Sequence, residues 1–261
     1  MAYAVKKTQD NKTAVAAAFA GAAPTYDDGA EAQRDIAAEL ARRIAFLPLP
    51  ARPRILEIGC GTGFLSRALA GMNASELVLT DFAGAMLERC RKALPAESLA
   101  RFLVMDGEEP AGGVGENFDL ICSSLAFQWF DDLPASLERL AAHLAPGGHL
   151  AFATLAADSF VEWRQAHAAL GLPSAARSYP TLDELKRMMP QAGAGSITED
   201  RHKRPYADGH DFLNRLRQIG AHLPLNNRPP LTPGALRRVL RRFETGIAVT
   251  YHVAYGIWRK T

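Results

Sequence analysis

The sequence lacks long apolar runs, regularly spaced cysteines and paired metal ligands, and each absence excludes a class of protein. No stretch of the 261 residues approaches the roughly eighteen uninterrupted apolar side chains of a transmembrane helix. Residues 1–18 carry scattered charges instead of the apolar segment of a signal peptide, which predicts a cytoplasmic protein with no membrane partner. The cysteines and histidines have no ligand spacing, so neither disulfides nor a metal site is expected.

The net charge of +2 conceals a strongly uneven distribution along the chain. Residues 201–242 carry ten Lys or Arg against two Asp, a net charge of +8, so the remaining residues carry −6. Such an asymmetry indicates that one region meets an acidic partner. The alternative is a set of solvated helix faces on a basic excursion of the chain.

Short apolar strands alternate five times with helical patterns between residues 54 and 154. This rhythm predicts a doubly wound α/β sheet with right-handed crossovers, resembling the Rossmann folds. Later patterns predict an antiparallel final pair at 196–206 and 247–258, giving seven mostly parallel strands. The other expected strands are 54–58, 77–81, 101–105, 118–123 and 149–154, with helices at 13–23, 30–46, 62–71, 83–93, 133–144, 158–170, 181–189, 209–219 and 233–243.

These patterns predict a single α/β domain with two elaborations. The expected parts are an N-terminal helical lid (1–52), a nucleotide-binding core (53–206), a small basic helical cap inserted before the last strand (207–244) and the last strand of the core (245–261).

Polar residues follow the ends of successive predicted strands, where an open α/β sheet binds its ligands. Glu57 and the turn Gly59-Cys60-Gly61 close the first strand, and glycine lets the backbone approach a ligand closely. Asp81 ends the second strand, where a carboxylate can accept both hydroxyls of a ribose. The pattern predicts S-adenosylmethionine (SAM) as the cofactor, with these binding residues: Glu57, Gly59, Cys60, Gly61, Asp81, Phe82, Met86, Asp106, Gly107 and Ser123.

A dinucleotide such as NAD is the competing interpretation of the glycine turn. Its fingerprint needs G-x-G-x-x-G, and here the third glycine, Gly63, comes one residue early. Asp106 follows the third strand, where it can accept a hydrogen bond from an adenine amino group between apolar walls from Phe82 and Met86. Glu57 suits the amino group of a methionine. Acidic residues in register at successive strand ends therefore favour SAM.

Nucleic acid is a poor candidate for the methyl acceptor. An amino-directed DNA methylase needs Asn/Asp-Pro-Pro-aromatic after the fourth strand, whereas this chain has Ser124-Leu125-Ala126-Phe127. A cytosine-C5 methylase needs a nucleophilic thiolate, usually after proline, but Cys122 follows Ile121 inside a strand. The basic region therefore needs another explanation.

Four motifs outside the glycine turn resemble the malonyl-acyl-carrier-protein O-methyltransferases of biotin synthesis, a class I SAM-dependent family. The resemblance runs from about residue 14 to 259 and is weakest over 156–200. The motifs are Phe19-Ala-Gly-Ala-Ala-Pro-Thr-Tyr26-Asp-Asp-Gly-Ala-Glu-Ala-Gln33, Leu125-Ala-Phe-Gln128-Trp129, Leu216-Arg-Gln-Ile-Gly220-Ala221 and Thr250-Tyr251-His-Val-Ala-Tyr255-Gly256.

The resemblance implies transfer of the SAM methyl group to the free carboxylate of a malonyl thioester, leaving S-adenosylhomocysteine (SAH). A carboxylate is already ionised at pH 7, so no general base and no catalytic side chain beyond positioning groups are expected. Arg177 is expected to hold the carboxylate bidentately, because a guanidinium matches its geometry. The expected substrate-binding residues are Tyr26, Gln128, Trp129, Arg177 and Tyr179.

The resemblance also gives the basic region a partner, because acyl carrier proteins are strongly acidic. Contacts of this kind steer the encounter of the two proteins and weaken with salt. The expected docking residues are Arg204, Arg237, Arg238, Arg241 and Arg242.

Two other functions are compatible with the same residues. One is a carboxyl methyltransferase for a free di- or tricarboxylate such as aconitate, and the other is a non-catalytic SAM-binding partner protein. Whether coenzyme A can replace the carrier protein is left open by the sequence.

Overall fold

A computed structural model describes residues 9–110, 113–174, 176–222, 231–243 and 246–261, with side chains from Lys12 onward. It contains one seven-stranded sheet in the order β3-β2-β1-β4-β5-β7-β6. The first five strands are parallel, while β7 runs antiparallel between β5 and β6. The predicted doubly wound fold is therefore confirmed. The strands are β1 (Arg54–Ile58), β2 (Glu76–Asp81), β3 (Arg101–Val104), β4 (Phe118–Ser124), β5 (Leu144–Leu155), β6 (Gly193–Tyr206) and β7 (Ile247–Lys260).

Helices connect the strands and cover both faces of the sheet. Among the described residues, no helix is long and apolar enough to span a lipid bilayer. The helices are α1 (Gln9–Ala22), α2 (Tyr26–Gly29), α3 (Glu31–Ile44), α4 (Ser66–Ala70), α5 (Gly84–Ala93), α6 (Leu133–Ala142), α7 (Val161–Ala168), α8 (Leu182–Met188), α9 (Gly209–Gln218) and α10 (Pro233–Leu240), with 3-10 turns at Phe127–Trp129 and Arg241–Phe243.

Two helix boundaries differ from the sequence prediction for local backbone reasons. The helix expected from 158 begins at Val161, because Phe160 has a φ of 59° and a left-handed residue cannot lie inside a right-handed helix. The helix expected over 62–71 is the shorter α4, because the glycine turn continues to Gly63, whose φ is 95°.

Side chains alternate along the central strands and divide the core between the two faces of the sheet. Ile55 of β1 packs in the cluster that contains Leu40 of α3. Leu56, the next residue, packs on the opposite face in the cluster that contains Leu137 of α6. Since both faces are buried, β1 reads as an almost continuous apolar run that ends where the glycine turn begins.

Helix α9 is bound to the N-terminal helices by contacts between chain segments that are far apart in sequence. Thr25 donates its hydroxyl hydrogen to the carbonyl of Gln218 at 3.3 Å. Arg215 donates to the carbonyl of Asp28 at 2.6 Å and pairs with Glu31. We call residues 9–31, which include α1 and α2, the N-terminal helices. Helix α9 lies in the segment between β6 and β7 and links this segment to them. The predicted four-part division of the chain stays a prediction.

Gly256 of β7 provides a test of how closely the core beneath the 3-10 turn is packed. A Cβ there would overlap the buried ring of Phe152, which packs on Phe127 with ring centroids 5.2 Å apart. We expect Gly256→Ala to lower the free energy of unfolding by about 1–3 kcal/mol, measured by urea denaturation. Gly21→Ala is the control, because its added Cβ meets nothing within 4 Å. Equal losses in both variants would contradict this account of the packing.

Candidate active site

Two cavities meet above the carboxyl ends of the parallel strands. The first encloses about 1020 Å³ around the glycine turn, and the second encloses about 1580 Å³ beneath α7 and α9. The strand order reverses between β1 and β4, so the first cavity lies where ligands bind in open α/β sheets. The residues that line both cavities are Phe19, Tyr26, Gln33, Leu125 and Trp129.

The glycine turn presents bare backbone to the first cavity. Gly59 has a φ of 68°, and a Cβ on it would overlap the side chain of Ala126. Gly61 has a φ of 55° and only open space where its Cβ would lie. Together with Cys60 they form a cavity wall that a ligand can approach more closely than any side chain would allow.

Glu57 is a buried carboxyl group without a basic partner among the described residues. Its side chain lines the first cavity, is 1% exposed and accepts a hydrogen bond from Ser66 Oγ at 2.6 Å. Burial raises the pKa of Glu57 to about 8, against the smaller opposing effect of the Ser66 hydrogen bond. A cationic ligand group beside it would relieve this desolvation, as the ammonium of a bound amino acid can.

Asp81 is held by the backbone at the end of β2. Its two carboxylate oxygens accept hydrogen bonds from the N–H groups of Gly61 at 2.9 Å and Ala83 at 2.8 Å. Burial raises the pKa of Asp81 to about 6, although these backbone hydrogen bonds oppose the shift. The carboxylate is therefore fixed in orientation beside the glycine turn, with lone pairs left to accept from hydroxyl groups.

Asp106 lines the first cavity, but its carboxylate is not the free acceptor that the sequence suggested. Lys12 of α1 places Nζ 2.8 Å from Asp106 Oδ2 and 2.9 Å from Glu108 Oε1. Burial alone would lower the pKa of Lys12, yet the hydrogen bonds that Lys12 donates to the two carboxylates, together with their negative charges, outweigh burial and raise that pKa. The N-terminal helices are thereby fastened to this end of the cavity.

The remaining residues predicted to contact the cofactor divide into two groups. Phe82, Met86 and Gly107 line the first cavity. Ser123 does not, because alternation along β4 turns its side chain into the core, where Oγ donates to the carbonyl of Ile58 at 2.9 Å. The next residue, Ser124, lines the cavity instead, so the prediction of Ser123 was wrong in placement.

Arg177 is the most unusual group in the second cavity. Its side chain is 8% exposed, and its Cζ lies 4.3 Å from the centroid of the Trp129 ring. Nε and Nη2 are buried with no hydrogen-bond partner among the described residues. Burial lowers the pKa of Arg177, because the charged guanidinium loses water, and the smaller effects of Tyr179 and Asp131 oppose this shift. An anion with two adjacent oxygens would satisfy both donors.

The other residues expected to bind substrate lie around the same cavity and differ in whether their polar groups are already used in hydrogen bonds within the protein. Tyr26 is half-buried at the shared wall, and the loss of water around its hydroxyl group, together with Asp81, raises its pKa. Burial raises the pKa of Tyr179 to about 12, so both phenols stay protonated at neutral pH. Gln128 uses its amide internally: Nε2 donates to the Leu125 carbonyl at 2.6 Å, and Oε1 accepts from the Thr154 hydroxyl.

Gln33 at the shared wall was not identified from the sequence. Its Oε1 is buried without a hydrogen-bond partner among the described residues. The malonyl group offers no N–H or O–H donor to such an acceptor once its carboxyl group is ionised, whereas the ammonium of a methionine does. No local pattern marks Gln33, because its exposure to both cavities depends on how α3 packs against the N-terminal helices.

The basic residues expected to dock a partner differ in their availability. Arg237, Arg238, Arg241 and Arg242 are exposed on α10 and the following 3-10 turn, and none pairs with a carboxylate in the described part of the chain. Arg204 instead forms an ion pair with Asp35 of α3. This ion pair partly neutralises the charge of Arg204, and the role of Arg204 in docking stays a prediction.

Sheet order, glycine turn and buried carboxylates together define a class I SAM-dependent methyltransferase. A family model described as "Methyltransferase domain" matches residues 31–197. The chain is also similar in fold to the SAH-bound magnesium protoporphyrin IX methyltransferase of Synechocystis, with a TM-score of 0.54 and 14% identity, covering 91% of this chain and 86% of that one.

Sequence relatives narrow the class to one family. The malonyl-[acyl-carrier protein] O-methyltransferase of Magnetococcus marinus is 43% identical over 92% of this chain and 90% of its own length. The biotin biosynthesis bifunctional protein of Bordetella avium is 49% identical over 94% of this chain, which spans only 52% of that longer protein. The chain belongs to the malonyl-[acyl-carrier protein] O-methyltransferase family.

Replacing Glu57 separates its role in cofactor binding from its cost to the unliganded fold. The folded protein keeps a proton on Glu57 that the unfolded chain releases, since its pKa rises from 4.5 to about 8. Stability of the unliganded enzyme therefore falls as pH rises through this window. We expect Glu57→Gln to remove that decline in calorimetric Tm while weakening SAH binding about tenfold or more.

The exposed substitution Glu97→Gln is the matched control for this change. It should alter neither the pH dependence of the Tm nor the SAH affinity, both measured by calorimetry. If Glu57→Gln bound SAH as tightly as the unmodified enzyme, Glu57 would have no role in holding the methionine part.

Proposed function

We propose that this enzyme transfers the methyl group of SAM to the free carboxylate of malonyl-acyl-carrier protein. The product is a methyl ester formed early in biotin synthesis. The observation that carries the proposal is Arg177, a buried guanidinium with two unpaired donors in the cavity beside the cofactor site. The names of the relatives support the same acceptor.

The first cavity suits SAM in size and in chemistry. It spans about 1020 Å³ including space open to solvent, and its lining combines carboxylates, bare backbone and apolar side chains. Glu57 and Gln33 would receive the methionine ammonium, Asp81 would receive the ribose hydroxyls, and Phe82 with Met86 would contact the adenine. When bound, SAM supplies an electrophilic methyl group on its sulfonium. The chain's own task is to hold an oxygen against that methyl group and exclude water.

The donors and acceptors of the two cavities are complementary to the two proposed ligands. The unpaired acceptor Gln33 Oε1 lies at the wall that the two cavities share, and the unpaired donors of Arg177 lie in the second cavity. A carboxylate bound to Arg177 stays ionised, and because its pKa is already about three units below neutral, the reaction needs no base. Orientation then supplies most of the rate enhancement.

Aromatic side chains close the shared wall and keep the reacting region poor in water. Phe19 contacts the Trp129 ring edge-on with centroids 5.1 Å apart, and Tyr26 lies over Phe64 at 6.3 Å. We assign Gln128 a positioning role, because its amide fixes the loop at Leu125, a residue with a φ of 56°. Tyr179 and Trp129 would flank the malonyl group around Arg177.

The exposed arginines of α10 supply a docking face for an acidic carrier protein. Arg237, Arg238, Arg241 and Arg242 follow one another within little more than a helical turn, so a negative surface can contact several of them at once. Leu236 of the same helix lines the second cavity, which supports the proposal that a carrier bound to α10 would lie close to that cavity.

Labelled-methyl transfer tests the proposed function directly. The enzyme is incubated with labelled SAM and malonyl-carrier protein, malonyl-coenzyme A, free malonate or aconitate, and esterification is read by mass spectrometry. We expect the carrier-bound substrate to be methylated with the lowest KM. Faster turnover of aconitate, or SAH binding with no methylation of any carboxylate, would contradict the proposal.

Arg177 should control acceptor binding and leave cofactor binding intact. We expect Arg177→Met to reduce kcat/KM for malonyl thioesters about a hundredfold or more, because two charge-assisted hydrogen bonds are lost. SAH affinity, measured by calorimetry, should stay within about twofold of the unmodified enzyme. Arg177→Lys keeps the charge without the fork and should fall between the two. A parallel loss of SAH affinity would indicate collapse of the site instead.

Charge reversal on α10 tests the docking face. We expect Arg238→Glu with Arg242→Glu to raise KM for malonyl-carrier protein about tenfold at low salt and to leave a small malonyl thioester unaffected, because only the carrier's acidic surface meets these residues. The same charge change on α8, Lys186→Glu with Arg187→Glu, is the control. Equal loss with both substrates would disprove carrier docking at α10.

A further inference from the structure

We propose that Arg217 and His222 form a phosphate-binding subsite at the outer end of the second cavity. In the proposed reaction this subsite would hold the phosphodiester of the pantetheine arm that carries the malonyl thioester. The inference rests on the proposed function and adds a ligand contact that neither the glycine turn nor Arg177 provides.

The depth of the second cavity follows from the exposure of the residues that line it. Arg177 and Tyr179 line it and are 8% and 9% exposed, beside the wall shared with the first cavity. Arg217 and His222 line the same cavity but are exposed to solvent. The cavity therefore runs from a buried guanidinium at the cofactor to a basic rim at the surface.

The size and lining of this cavity fit a long thioester better than a free acid. It spans about 1580 Å³ including space open to solvent, and a malonyl group would fill only a small part of that space. Between its ends the wall is largely apolar. The apolar lining residues contributed by α9 and α10 and the segment between them are Phe212, Leu213, Leu216, Ile219, Leu231 and Leu236.

The two rim residues are suited to an anion. Arg217 lies in the last turn of α9 and donates from Nη1 to Asn214 Oδ1 at 3.0 Å, which fixes the position of its guanidinium. Partial burial and the neighbouring charge of Arg217 lower the pKa of His222. The carboxylate of Asp211, on the same helix, pairs with Arg215 and not with Arg217. A phosphate could thus contact Arg217 directly and accept a hydrogen bond from His222.

This rim is separate from the arginines that meet the carrier surface. Arg237, Arg238, Arg241 and Arg242 do not line the cavity, whereas their neighbour Leu236 does. A carrier docked on α10 would therefore place the start of its arm at the rim, with its phosphate beside Arg217 and its thioester directed towards Arg177.

A set of trimmed substrates tests the subsite without the carrier protein. Methyl transfer is measured with malonyl-pantetheine, which has no phosphate, and with malonyl-phosphopantetheine. For the unmodified enzyme we expect the phosphate to lower KM about two- to fivefold, as one exposed charge-assisted contact allows. Arg217→Met should abolish this difference by raising KM for the phosphorylated thioester alone, with kcat and SAH affinity unchanged. Arg217→Lys should restore part of it, and His222→Gln should reduce it.

Arg187→Met on α8 is the matched control, because it removes an exposed arginine that lines neither cavity. It should leave KM for both trimmed thioesters unchanged. A phosphate that gives no advantage, or an Arg217→Met variant that raises KM equally for both thioesters, would overturn the subsite. Failure of the unmodified enzyme to methylate either thioester or malonyl-carrier protein would instead refute the proposed function.

Discussion

The site depends on the cost of removing charged groups from water. Glu57 and Asp81 lie buried in one cavity, and Arg177 lies buried in the next. The protein could have reduced this cost by bringing the opposite charges together, but the aromatic wall of Tyr26 and Trp129 keeps them in different cavities. Each of these ionisable groups therefore lacks a partner of opposite charge until a ligand binds. The stability that the unliganded protein loses in this way favours ligands that supply the missing partner.

The two halves of the site are built from different parts of the chain. The first cavity uses strand ends and the glycine turn, where the backbone of a central parallel sheet fixes every position. The second uses α7, α9 and α10, which the chain adds after the fifth strand. Because the two cavities draw on different segments of the chain, one fold can keep its cofactor site while its second cavity changes.

Local pattern was sufficient for the sheet and for the turn, because buried parallel strands and left-handed glycines leave a direct mark on the sequence. Local pattern did not show which charged side chains are already paired with a residue far away in the sequence. Asp106 is paired with Lys12, 94 positions away, and Arg204 with Asp35, 169 positions away. A carboxylate or guanidinium has no local feature that tells whether it is free. Contacts of this range appear only when the chain is folded.

The contacts between α9 and the N-terminal helices bear on how the family can be recombined. Thr25 contacts Gln218, and Asp28 and Glu31 contact Arg215. Gly220 has a φ of 70°, and a Cβ on it would lie too close to the carbonyl of Ala18, so a larger residue does not fit there. A chimera that takes α7, α9 and α10 from one homologue and its first thirty or so residues from another would disrupt these contacts. Exchangeable modules in such proteins must therefore include both ends, although they lie far apart in the gene.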